Sequence, residues 1–256
     1  NLKRTLSLAL AAIMLVGMMV VSASAASYNN LTDKDEIVNK DAVSMLVSLG
    51  IIEGKPDGSY GPTENVDRAQ MAKMLSVIMN KGVDNSALYQ SVNSGLTDIT
   101  SNWAKGHINY CYTTGIIAGR GNGTFDPSAT VTALEAAKML LVAVGYDPKI
   151  EGFEGADWAI NVSVRADEQG IFEGFTKDLS APLNRDDAAL LIYNALDVEM
   201  IQSYTTNNYP IAYSDHRTIL ADKYGVIKVE GVVTANEWAI LDDDTDTALQ
   251  EGKTRI

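Results

Sequence analysis

The chain is poor in the residues that carry most protein chemistry. Its 256 residues include one cysteine and two histidines. A single thiol, Cys111, excludes an intrachain disulfide, and its place on an apolar helical stripe predicts a packed side chain rather than a nucleophile. His107 and His216 lie too far apart for a zinc-ligand spacing. Positive charge is scarce as well: 20 Lys and Arg stand against 33 Asp and Glu, a net charge of −13. Nucleic acids and anionic membrane surfaces both require a basic footprint, so neither is an expected partner. No serine nucleophile elbow, P-loop or dinucleotide fingerprint occurs. Acid pairs abound in so acidic a chain, and none stands out as a glycosidase pair. The acidic run Asp242-Asp243-Asp244-Thr245-Asp246 has Thr247 where a calcium loop needs Gly and Lys253 where it needs Glu, so it reads as a solvated turn. The sequence predicts no enzyme, no metal and no cofactor.

Long hydrophobic runs are equally rare, with one exception. Leu6 to Val21 is almost unbroken apolar sequence, preceded by Lys3 and Arg4 and followed by Ala23-Ser24-Ala25. At about 16 residues it falls short of the roughly 20 that span a bilayer, and no charged stop-transfer cluster follows. Residues 1–25 are therefore expected to be a secretory signal cleaved before Ala26. The mature chain is then exported, not held by a membrane, and its net charge becomes −15 as Lys3 and Arg4 leave. Position 1 is Asn, so the chain as given is expected to begin inside a longer reading frame. About 230 mature residues suffice to bury a core without disulfides.

What the chain does contain is a repeat. Gly50-Ile51-Ile52-Glu53-Gly54, Gly115-Ile116-Ile117-Ala118-Gly119 and Gly170-Ile171-Phe172-Glu173-Gly174 recur at separations of 65 and 55 residues. Before each lies an amphipathic helical stripe: Val38, Ala42, Val43, Leu46 and Val47; then Trp103, His107, Ile108, Cys111 and Tyr112; then Trp158, Ala159, Val162 and Ala166. The glycine ends the helix in the left-handed conformation, and the apolar residue after it folds back. Turn sequences follow at Asp57-Gly58-Ser59-Tyr60 and Asn122-Gly123-Thr124-Phe125. The third copy is three residues shorter there. A second helix then begins with a capping pair, Asp67 with Gln70, Thr132 with Glu135, and more loosely Asn184 with Asp187. One helix pair cannot bury its own apolar face, so the three are predicted to pack as a mainly α bundle.

Aligned on these glycines, the repeats differ where chemistry is expected. Val38, Trp103 and Trp158 stand twelve residues upstream, with Asp33, Asp98 and Phe153 five residues earlier. Arg68, Ala133 and Arg185 open the second helices. A cation is disfavoured at a helix start by a few tenths to about 1 kcal/mol. Outward-facing N–H groups there make an anion site in which Arg could grip a carboxylate or phosphate in two-pronged fashion. The alternative is a salt bridge to a neighbouring acid such as Asp186 or to an acid of another repeat. Trp103 and Trp158 either cap the core or offer a flat face to a sugar ring. Asp33 and Asp98 either cap the first helices or accept sugar hydroxyls.

The ordered series Asp98, Trp103-Ala104, Gly115-Ile116-Ile117-Ala118-Gly119, Asn122-Gly123-Thr124-Phe125-Asp126-Pro127 and Val131-Thr132-Ala133-Leu134-Glu135 resembles an S-layer homology repeat. The resemblance covers three tandem copies, at 30–82, 95–146 and 153–198. It implies a pseudo-threefold helical bundle with grooves between repeats. It also implies noncovalent binding of an anionic secondary cell-wall polysaccharide, through pyruvylated units whose carboxylate meets the motif arginine. Arg68, Arg185, Trp103, Trp158, Asp33 and Asp98 are then the ligand-binding residues. The first repeat lacks the tryptophan, the second the arginine and the third the aspartate, so at most two grooves keep the cationic contact. After Asp197 the composition changes. Residues 199–256 read as a linker around Ser203 to Asn208, then the start of a truncated β-rich region with strands between Val226 and Leu241 and at Lys253 to Ile256. The expected product is an exported anchor at the cell wall. The alternatives are a self-associating subunit of an S-layer lattice, or the anchor of an exported enzyme whose catalytic domain lies beyond residue 256.

Overall fold

The computed structural model describes residues 27–228 and, as backbone, residues 235–236 and 254–255. The expected signal segment, most of the expected C-terminal strands and the Asp242 run lie outside the described residues. Contacts divide the chain at Tyr224 into two units. The first holds three helix pairs: α1 (Lys40–Ser48) with α2 (Arg68–Met79), α3 (Lys105–Thr113) with α4 (Ala133–Ala143), and α5 (Trp158–Glu168) with α6 (Arg185–Ala195). In the second unit, β1 (Ala235–Asn236) pairs antiparallel with β2 (Thr254–Arg255).

The helix stops form as the sequence dictates. Gly50, Gly115 and Gly170 have φ of 70°, 78° and 70°. The N–H of the next residue reaches back five positions in each copy, Ile51 to Leu46, Ile116 to Cys111 and Ile171 to Ala166, all at 2.9 Å. This is the Schellman pattern, and the residue that folds back is buried every time. The starts are equally local. Asp67 with Gln70 and Thr132 with Glu135 form reciprocal capping boxes, while Asn184 accepts from Asp187 N–H without a return bond.

Packing is a closed ring rather than a row. The second helix of each pair packs on the first helix of the next, α2 on α3, α4 on α5, and α6 back on α1. At the centre the residues preceding the three N-caps bond to one another in a cycle. Val66 N–H donates to Leu183 C=O at 2.9 Å, Leu183 to Val131 at 2.8 Å, and Val131 to Val66 at 2.9 Å. All three side chains are buried, so each backbone pair is satisfied in an apolar setting where an orphan group would be costly. Cys111 is packed between α2 and α3, its thiol 3.4 Å from Ala72 C=O, and burial pushes its pKa far up.

Three expectations are corrected. Val38 does not join the core stripe: α1 starts at Lys40, and Val38 is 82% exposed. The Asp186 carboxylate from the third pair takes the N–H groups of Val38 and Asn39, which fixes that segment as a docked turn with its side chain outward. Trp103 likewise precedes its helix and is 56% exposed, so it does not cap the core. The polar stretch Ser203 to Asn208 is not a linker. It belongs to a hairpin of β3 (Ile201–Tyr204) and β4 (Pro210–Ala212), followed by α7 (Ile219–Tyr224). Ile201 N–H bonds Val144 C=O at 2.8 Å, and Tyr224 Oη donates to Ile78 C=O at 3.2 Å, so this strap is tied to both α4 and α2.

Candidate functional site

The loops after the three glycines are each held by the residues around them. Asp33 accepts from the N–H groups of Tyr60 and Gly61, both at 2.7 Å. Asp98 accepts from Phe125 at 2.9 Å and Asp126 at 2.7 Å. Burial acts to raise both carboxylates, but the backbone N–H groups outweigh it and hold both below the usual range. These aspartates therefore do not cap the first helices. They clamp the loop aromatic, and Tyr60 and Phe125 are driven into the core.

The arginines use those aromatics as shelves. Arg68 stacks on the Phe125 ring at 4.3 Å, and Arg185 on the Tyr60 ring at 4.7 Å. Arg68 donates through Nε to Phe125 C=O at 2.8 Å and through Nη2 to Ala118 C=O at 2.9 Å. Arg185 repeats this on Tyr60 C=O at 2.8 Å and Glu53 C=O at 3.3 Å. Two bonds to fixed carbonyls orient each guanidinium and leave Nη1 without a hydrogen bond among the described residues. Burial pulls the Arg68 pKa down to about 10, with Arg120 adding to the effect, so the group stays charged at neutral pH. The salt-bridge alternative holds for Arg68, whose Nη1 is 4.0 Å from Glu135 of the next pair. For Arg185, no ion pair forms among the described residues, and Asp186 is engaged elsewhere.

The free N–H groups expected at these helix starts are not free. Arg68 and Ala69 N–H donate to Ala129 and Pro127 C=O, both at 2.9 Å, and Arg185 and Asp186 to Glu64 at 2.8 Å and Pro62 at 3.1 Å. Each helix start is filled by the loop of the next repeat. Any anion must therefore be met by side chains, not by the macrodipole.

This ring geometry also sorts the substitutions. A groove takes its loop from one repeat, its first-turn residue from the repeat before and its tryptophan position from the repeat after. The second groove, a cavity of about 590 Å³, combines the loop at 116–121 with Arg68 and Trp158. Lys138 stands over the Trp158 ring at 5.7 Å. The first groove, about 210 Å³, combines the loop at 51–55 with Arg185, Gln70 and Lys73. Trp103 does not line this cavity; it lies two residues before α3, which packs on α2 as α5 packs on α4, so by alignment it is the counterpart of Trp158. The third position receives Ala133, Val38 and the shortened loop, with Lys177 paired to Asp187. Three incomplete repeats thus give two grooves lined by an arginine, the second of them also by a tryptophan, and one blank. Lys73 and Lys138 were missed by the sequence reading. They stand five residues after each first-turn position, where the third repeat has Leu190, so extending the alignment into the helix reveals them.

Comparison with known proteins agrees with this architecture. The family model of the S-layer homology domain matches residues 30–72 and 95–137. A cell surface protein of Thermoanaerobacter kivui is 27% identical over 259 residues, covering 100% of this chain and 31% of that protein. An S-layer protein of Bacillus licheniformis is 34% identical over 113 residues, 44% of this chain and 12% of that protein. An amylopullulanase of Thermoanaerobacterium thermosulfurigenes is 30% identical over 173 residues, 62% and 9% of the two chains. The chain spans about a third or less of the length of these curated relatives. The family-model matches fall on the first two helix pairs, and the relatives support a location at the cell surface.

Proposed function

We propose that this chain anchors an exported protein to the bacterial cell wall by holding an anionic, pyruvylated secondary wall polysaccharide in its first and second grooves. The observation that carries the reading is the sorting of Arg and Trp. Scattered among three imperfect repeats, Arg68 and Trp158 line the second groove and Arg185 the first, each guanidinium oriented by two carbonyls, with the exposed Trp103 as the counterpart of Trp158 by alignment. Arg68 and Arg185 would take the carboxylate through Nη1, since an oriented guanidinium favours a planar anion. Trp158 and Trp103 would take the apolar face of a pyranose ring. Asp33 and Asp98 act at one remove, fixing the aromatic on which each arginine rests. Residues 153–198 complete the ring as a third, degenerate S-layer homology repeat, and residues 1–25 direct export. The segment itself is a binding module, not an enzyme.

The test is a pull-down with purified wall polysaccharide. Arg68→Ala combined with Arg185→Ala is expected to abolish retention while far-ultraviolet circular dichroism keeps the wild-type helical signal. Unchanged retention of the double variant refutes the site. A second reading, self-association in a surface layer, is favoured by relatives that are named S-layer proteins. The amylopullulanase match is compatible with an anchored enzyme.

A further inference from the structure

The two arginine-bearing grooves differ at a position whose helical role is the same in both. Gln70 and Glu135 are the third residues of α2 and α4, and each closes a capping box. Gln and Glu serve that box equally, so the choice between them does not matter to the helix. It matters to the groove, because both side chains line the cavity.

In the second groove Glu135 is an acid facing two guanidiniums. Its Oε1 lies 3.1 Å from Arg120 Nη1 and 4.0 Å from Arg68 Nη1. Asp126 adds a further contact to Arg120 at 3.7 Å. The remaining cation, Lys138, is a half-buried ammonium over the Trp158 ring, a point charge without the two-pronged geometry of a guanidinium. In the first groove the same position is neutral. Lys73 is matched by Glu53 at 3.6 Å and Lys55 by Glu64. The Nη1 of neither Arg68 nor Arg185 makes a hydrogen bond among the described residues, but Arg185 alone has no carboxylate partner there.

We propose that the grooves divide the work unequally: Gln70 leaves the Arg185 guanidinium open and makes the first groove the stronger seat of the ligand's carboxylate, whereas Glu135 competes for Arg68 and makes the second groove the weaker one. The inference rests on the wall-polymer reading and adds to it a specificity-determining position.

The reciprocal exchange tests it in the full chain, since Gln70→Glu and Glu135→Gln each preserve the capping box. The probes are the purified wall polysaccharide and the same polymer with its carboxylates converted to neutral amides. With the native polymer, Q70E is expected to weaken binding about tenfold or more, by closing a charge-assisted pair. E135Q is expected to raise affinity, because it frees Arg68. With the amidated polymer, wild type and Q70E are expected to bind alike. The proposal is overturned if Q70E binds the native polymer as wild type does, or if E135Q costs more than Q70E. Failure of the wild-type chain to bind either polymer instead sinks the wall-polymer reading itself.

Discussion

His107 is the side chain through which this fold responds most directly to pH. It is 3% exposed between α2 and α3, with Nδ1 2.6 Å from Ser76 Oγ and Nε2 3.6 Å from Asp84. Burial lowers its pKa below 6.5; Asp84 opposes the shift and Lys73 adds to it. The unfolded chain therefore takes up the proton first as pH falls. Stability from this site is complete above about pH 6.5 and declines below it. Melting temperatures measured from pH 7.5 to 5 should fall, and His107→Gln should flatten that slope whatever it does to the absolute value. Asp33 and Asp98 act in the opposite part of the scale: their lowered values add stability that is lost only as pH drops below about 4. Their role was not legible in the sequence, which shows them next to a first helix. The N–H groups they hold lie 27 and 28 residues further on, a proximity created only when the loop folds back.

Helix boundaries, by contrast, were legible, because stops and caps are written within five residues of where they act. What local pattern missed was the reason for Gly106 inside α3. A Cβ there would stand 2.1 Å from Ser86 C=O, in the turn Ser86–Tyr89 that docks on the helix. Alanine normally gains about 1 kcal/mol over glycine in a helix interior, but forcing atoms into a packed contact costs about 1–3 kcal/mol. The second effect wins against rigid backbone. Gly106→Ala is expected to lower the urea midpoint, with a net loss of up to about 2 kcal/mol of stability, and an increase would show that the turn yields freely. The β3–β4 hairpin escaped the sequence for a related reason. Ser203 to Asn208 is polar, its register shifts between Ile201 and Ser203, and it is fixed by contacts to Val144 and Asp147 rather than by alternation of its own.

For the whole molecule, the cycle of Val66, Leu183 and Val131 means that stability is not divisible by repeat. An open row of repeats loses units one at a time, whereas opening this ring leaves Val66 N–H and Val131 C=O without partners. A chain ending at residue 146 also loses the Asp186 contacts to Val38 and Asn39 and the loop that covers Leu134. It is expected to show little cooperative unfolding in urea, while the full chain gives one sharp transition. A sharp transition of the truncated chain at the same midpoint would contradict the closed-ring account. The ring also explains why the site was only half legible. Read along the chain, every repeat lacks something. The complementary gaps meet in one groove only because each groove draws on three repeats, and a linear alignment does not reveal that rotation.

The strap after α6 has a mechanical meaning. Leu220 N–H bonds Leu196 C=O, and Tyr224 Oη bonds Ile78 C=O, so the chain leaves this unit from the end of α2 rather than from α6. Tension drawn from beyond Tyr224 enters at the helix that carries Gln70 and Lys73. The third pair sits behind that attachment and is not the first to be peeled. A pull from beyond Tyr224 is thereby borne first by the helix that also lines the first groove.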